Sequence, residues 1–150
     1  MGAFFLIAFN AKKISNDFKE KIPITIYLKD TAKKIEIAQL QKKINLKDYT
    51  KSIKYISKEM GAEILIEEIE ENFLEFLGTN PILNSIDIFL KSEFVKSDLL
   101  NEISIEFGKI NFVDEIRYDA PLVSLINENL MKIKFWILIF ASFFLIVSIL

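Results

Sequence analysis

At 150 residues the chain is long enough for one domain with a real core, burying roughly two thirds of the surface its unfolded form exposes. With no Cys and no His it cannot use a cysteine nucleophile, a disulfide or a zinc site built on those ligands. A net charge of −2 removes the electrostatic footprint of a nucleic-acid binder, so no nucleic acid is expected among its partners.

The first segment, "MGAFFLIAF" (Met1 to Phe9), is apolar, but it lacks the basic start and small-residue cleavage site of a signal peptide and is too short to span a bilayer. It reads as the last turns of a membrane helix. Ala11 to Ile22 continues in helical register, with Ile14, Phe18 and Ile22 four apart, and Pro23 is expected to end the helix just before a strand.

Two stretches of the remaining chain are alike. "ITIYLK" (Ile24 to Lys29) matches "IDIFLK" (Ile86 to Lys91), and about thirty residues after each comes a second match, "SIKY" (Ser52 to Tyr55) against "EIRY" (Glu115 to Tyr118). Alternating apolar and polar positions make all four half-buried strands. Lys33 to Asn45 places Ile37, Leu40 and Ile44 on one helical face, with Asp30 or Thr31 available to cap its start. Asp98 to Phe107 does the same with Leu100, Ile103 and Phe107, between Ser97 as N-cap and Gly108 placed to close the helix. Each half is thus a β–α–β unit. The fold class expected is α+β: a four-stranded ferredoxin-like sheet from two β–α–β units, both helices on one face.

A helical insertion lobe, residues 57–84, joins the two units. Ser57 can cap one helix running to Leu77, in which Ala62, Ile66, Ile69, Phe73 and Phe76 form a continuous stripe. Gly78 is expected to close that helix, and Pro81 to turn the chain before a strand starting near Ser85. Phe73, Leu74, Phe76 and Leu77 either pack within the domain or present a groove or knob for a partner helix. The acidic run Glu67, Glu68, Glu70, Glu71 and Glu75 reads as the solvated face.

From Leu122 to Leu150 there is neither Gly nor Pro, so one helix, with Asp119 as cap and Pro121 in its first turn, can leave the last strand. Leu122, Leu125, Ile126, Leu130 and Ile133 give its first part an apolar side. Its end, "FWILIFASFFLIVSIL" (Phe135 to Leu150), carries no charge and would rise about 24 Å, short of the ~30 Å hydrocarbon core. The chain therefore either ends inside a membrane helix or carries a short tail anchor. We expect the end of a membrane helix and stalk at 1–22, an extracytoplasmic domain at 23–120, and a stalk entering a second membrane helix at 121–150. Continuous helices on both sides would make the domain a coupling device, because flexible linkers cannot transmit a push.

Catalysis finds no purchase in the sequence. Gly2, Gly61, Gly78 and Gly108 cannot build a phosphate loop, no serine sits in a nucleophile elbow, and paired carboxylates such as Glu67 and Glu71 are common on solvated helices. A ferredoxin-like RNA binder would stack bases on Tyr27 and Phe89, but the charge opposes it. Arg117, the single arginine, reads as a surface or strand-pairing residue.

The segments "ITIYLKDTA" (Ile24 to Ala32), "EIAQLQKKI" (Glu36 to Ile44), "KSIKYISKE" (Lys51 to Glu59), "FLEFLGTNP" (Phe73 to Pro81) and "SIDIFLK" (Ser85 to Lys91) resemble the FtsX cell-division family, particularly its Bacteroidetes-type members. The order of the segments is more specific than any one of them. The resemblance implies a non-catalytic, four-span protein of the inner membrane, in contact with membrane lipid, homodimeric, and paired with the ATPase FtsE in an ABC-transporter-like complex. It implies no cofactor. The loop between the first two spans would face the periplasm or cell exterior and recruit peptidoglycan hydrolases or their coiled-coil activators. By location and residue type, Phe73, Leu74, Phe76 and Leu77 would form the docking surface. The contacts with FtsE would lie outside these residues. The rival reading is a sensor or permease domain of another membrane protein.

Overall fold

A computed structural model describes residues 2–149, apart from the side chains of residues 3–5, 8, 129, 130, 134, 148 and 149. Its elements in order are α1 (Gly2–Lys19), β1 (Pro23–Leu28), α2 (Lys34–Asn45), β2 (Thr50–Ile56), α3 (Lys58–Ile69), α4 (Phe73–Leu77), β3 (Asn84–Leu90), a 3-10 turn at Ser92–Phe94, α5 (Ser97–Gly108), β4 (Val113–Arg117) and α6 (Ala120–Ile149).

Alternation along β1 buries Ile24, Ile26 and Leu28 on one face, and β3 buries Ile86, Ile88 and Leu90 in the same way. These two strands, the matched stretches of the duplicated sequence, lie side by side at the centre of a sheet ordered β2-β3-β1-β4. Every neighbouring pair is antiparallel. The strands of each β–α–β unit are therefore separated by a strand of the other unit, the split arrangement of ferredoxin-like folds.

Both helices between the paired strands bury the residues their periodicity selects: Ile37, Leu40 and Ile44 from α2, and Leu100, Ile103 and Phe107 from α5. Fully burying a side chain of this size contributes about 1.5–3 kcal/mol. Glu106 ties the two helices together, accepting from the ammonium groups of Lys47 at 2.9 Å and Lys43 at 3.3 Å. The core also takes Ile22, just before β1, and Val123, in the first turn of α6. The segment after α1 and the first turn of α6 are thus both rooted in the domain core, and α1 itself rests against the 3-10 turn at Ser92–Phe94.

Several helix ends differ from expectation. The α2 start is capped by neither Asp30 nor Thr31; the Lys33 backbone N–H donates to Glu36 Oε2 at 2.8 Å, a contact made from inside the helix. Lys96, not Ser97, is the N-cap of α5, and Gly108 is its last helical residue, with Ile110 N–H closing onto the Phe107 carbonyl at 3.1 Å. The α1 helix ends at Lys19, before Ile22, through tight bonds from Lys21 to Phe18 and from Ile22 to Lys19 that satisfy its last carbonyls. Pro23, which opens β1, biases Ile22 away from helical backbone.

The largest departure is in the lobe, where one helix was expected and two form. The break falls at Glu70, a non-glycine residue at φ 55°. Glu67, Glu68, Glu70 and Glu71 crowd negative charge onto the negative end of the α3 dipole, with no basic residue in its last turn to offset it. The apolar stripe from Ala62 to Phe76 is interrupted there.

As expected, α6 is a single helix: the Asp119 carboxylate accepts from Leu122 N–H at 2.9 Å, and Pro121 occupies the first turn. Leu125 and Ile133 are exposed and Leu122 and Ile126 half-buried; the side chain of Leu130 lies outside the described residues. Ala120–Val147 is long and apolar enough to cross a membrane, and none of its most apolar stretch is buried.

Candidate functional site

The lobe stands on a neck stitched by two asparagines. Asn84 Oδ1 accepts from Lys58 N–H at 2.9 Å, while Asn80 donates to the Lys58 carbonyl at 2.9 Å and accepts from Ile82 N–H at 3.0 Å. Ser57 Oγ accepts from Met60 N–H at 3.2 Å, the N-cap its position predicts. Gly61 lets α3 lie against the returning chain: a Cβ there would come within 2.8 Å of Ile82 Cγ2. Ala62 is buried one residue on, and α3 rests against β3. The base of the lobe is therefore fixed to the sheet.

Its tip is not covered. The Asn72 side chain donates to Glu75 Oε1 at 3.0 Å as α4 begins, and Gly78, at φ 69°, closes it by donating to the Leu74 carbonyl at 2.9 Å. In this single turn and a half, Phe76 is 87% exposed and Leu77 57%, whereas Phe73 and Leu74 are half-buried. The four residues singled out in the sequence thus divide into an outward pair and an inward pair.

Sequence reasoning passed over Met60 (46% exposed) and Ile64 (38%), and Ile69, placed on the apolar stripe, is 45% exposed. Met60 and Ile64 are one turn apart, on the side of α3 away from Ala62 and Ile66. An apolar pair opposite a buried stripe was the available signal. Glu63, Glu67 and Glu68 neighbour this pair along the helix and are exposed.

A second feature lies where the terminal helices meet the sheet. Glu20, directly after α1, pairs with Lys51 on β2 and accepts from Ser92 N–H at 3.3 Å. The Lys51 hydrogen bond, against the opposing cost of burial, holds its carboxyl below the usual carboxylate range. From α6, Asn127 donates to the Val95 carbonyl at 3.2 Å. The short turn over residues 92–95 is therefore gripped from both sides, by one group from each stalk. An open groove lined by Phe18, Ile22, Thr25, Arg117 and Leu122 separates the roots of the stalks. Arg117 pairs with Glu115 at 2.6 Å and lies 5.6 Å from the centre of the Tyr27 ring, a strand-surface arrangement.

A split antiparallel α+β layer with a helical lobe between its two halves, running into an apolar helix of membrane length, defines a membrane-linked sheet domain. The chain belongs to the FtsX extracellular domain family: the family model of that description matches residues 21–130. Cell division protein FtsX of Flavobacterium johnsoniae is 37% identical over 150 residues, all of this chain and 52% of that protein, so the chain spans about half the length of this curated relative. The crystal structure of extracellular domain 1 of FtsX from S. pneumoniae, in complex with undecyl-maltoside, is similar with a TM-score of 0.53 at 17% identity, covering 64% of this chain and 92% of that one. That likeness concerns the fold. The protein is a membrane-associated cell-division protein with an extracellular domain of the FtsX type.

Proposed function

We propose that this chain is the receiving end of an FtsEX complex. In this reading residues 23–120 lie in the periplasm or extracytoplasmic space, with residues 1–22 and 121–150 continuing into spans of a multi-pass protein of the cytoplasmic membrane. The domain performs no catalysis. Its lobe, residues 57–84, recruits a peptidoglycan hydrolase or a coiled-coil activator of one through Phe76 and Leu77, supported from below by Phe73 and Leu74. FtsE, contacting parts outside this chain, hydrolyses ATP and moves the membrane helices of an FtsX homodimer. The movement reaches the lobe because both stalks are rooted in the domain core and both grip the turn at 92–95.

The observation that carries the reading is Phe76, 87% exposed at the tip of a lobe whose neck is held by four hydrogen bonds among Ser57, Lys58, Met60, Asn80, Ile82 and Asn84. A large aromatic left in water on an anchored element is the mark of a contact surface. The test is capture from envelope extract by the solubilised whole chain and by its Phe76→Glu variant. Capture of a peptidoglycan hydrolase or coiled-coil activator by the parent alone supports docking at α4. Equal capture by both would move the docking surface elsewhere, and capture by neither would remove the recruiting function.

A further inference from the structure

Charge is unevenly divided over this protein. Between Ser57 and Asn84 there are seven glutamates and one basic residue, Lys58, a net charge of −6, while the whole chain carries −2 and the other 122 residues therefore carry +4. Lys58 is itself turned toward Asp30, 3.5 Å away, and not toward the glutamates of its own lobe. Glu59, Glu63, Glu67, Glu68, Glu70, Glu71 and Glu75 are all exposed. The same segment holds the exposed apolar side chains Met60, Ile64, Ile69, Phe76 and Leu77.

Met60 and Ile64, exposed and four apart on one face of α3, form a short apolar ridge of the kind that another helix complements by packing its side chains beside it. Negative charge spread around that ridge then selects the partner: opposite charge at the rim speeds encounter and a like charge repels. We infer that the lobe docks a basic amphipathic helix, an apolar stripe flanked by Lys or Arg, and discriminates against an otherwise identical stripe flanked by acidic residues. The inference rests on the recruiting function above and specifies the chemistry of what is recruited. The apolar residues make the contact, and the glutamates decide which helix makes it.

The break at Glu70 contributes to this arrangement. A single straight helix would carry Phe76 on the same stripe as the buried Ala62, facing the domain. With α3 ended at Ile69 and the chain reversing hand at Glu70, α4 turns Phe76 and Leu77 outward. The acidic run that ends α3 thus also presents the apolar tip.

The experiment uses the whole chain in nanodiscs of zwitterionic lipid and two synthetic helical peptides with the same leucine stripe, one flanked by lysines and one by glutamates, each with a photo-crosslinker in the stripe. The expected result is crosslinking of the lysine peptide to residues 57–84, with a yield that falls about fivefold or more between about 50 mM and about 500 mM salt as screening shortens. The glutamate peptide should give none. Glu63→Gln, Glu67→Gln and Glu68→Gln together, at exposed positions and with unchanged circular dichroism, should flatten the salt dependence. Equal, salt-independent crosslinking of both peptides would overturn the charge selection and leave apolar docking standing. Failure of both peptides would overturn the docking function itself. Crosslinking of the lysine peptide that survives Phe76→Ser undiminished would reduce the effect to plain charge adhesion and overturn the proposal.

Discussion

Thr25 Oγ1 donates a 2.6 Å hydrogen bond to Asp87 Oδ1, and the two residues are also register partners across the central strands. They occupy the same place in the duplicated sequence, second in "ITIYLK" and in "IDIFLK". The local two-fold relating the halves therefore passes through this pair. Lys54 opposite Asp87 and Arg117 opposite Thr25, themselves equivalent in "SIKY" and "EIRY", extend the row across all four strands. One half supplies a hydroxyl where the other supplies a carboxylate, so the halves complement each other at the axis.

Thr25→Val should lower the unfolding free energy by about 1 kcal/mol, because it leaves the half-buried Asp87 without its donor. Thr25→Ser should keep most of that stability. Equilibrium unfolding of the two variants beside the parent checks this.

Acid should loosen the clamp between α2 and α5. Hydrogen bonding from Lys47, and secondarily from Lys43, holds the Glu106 carboxyl below its ordinary value of 4.5. A depressed folded value means that this stabilisation is present above the unfolded value and is lost as pH falls through the folded one. Melting temperature should therefore drop below about pH 4.5, and drop less in Glu106→Gln. The site is partly exposed, so high salt should shrink the difference.

Gly61→Ala should destabilise the neck of the lobe by about 1–3 kcal/mol, since its methyl would meet Ile82 Cγ2 at 2.8 Å. Combining it with Ile82→Ala should recover part of the loss, a coupling that a double-mutant cycle measures directly. Independent, additive losses would place the strain elsewhere.

Inserting two glycines after Lys132 should separate binding from activation. Each costs about 1 kcal/mol relative to Ala within a helix and breaks the stiffness of α6. Partner capture should be unchanged, while the response of hydrolase activity to the ATPase state is lost. Retained activation would remove the stiff-stalk mechanism.

Much of the fold was legible because it rests on short periodicities. Isoleucines at every second position fix the buried faces of β1 and β3, and Leu100, Ile103 and Phe107 fix that of α5. The break at Glu70 was not legible, since the apolar stripe argues for continuity while charge repulsion and the helix dipole argue against it, and only their balance decides. The cap expected for α2 failed for a related reason: Glu36 reaches back to Lys33 from within the helix, so the capping group follows the start instead of preceding it. At the site, the sequence picked out Phe73, Leu74, Phe76 and Leu77 together, but only the turn after Asn72 separates the outward pair from the inward one. Met60 and Ile64 were not legible because two apolar residues on the face opposite the stripe are too short a pattern to mark a surface.

The most direct measurement places a photo-crosslinking residue at position 76 of the protein in growing cells, with position 102, on the exposed side of α5, as the control. Crosslinks from position 76 to a peptidoglycan hydrolase or its coiled-coil activator, and none from position 102, are the expected result. Crosslinks to such a partner from position 102 alone, or from neither position, would contradict docking at the lobe.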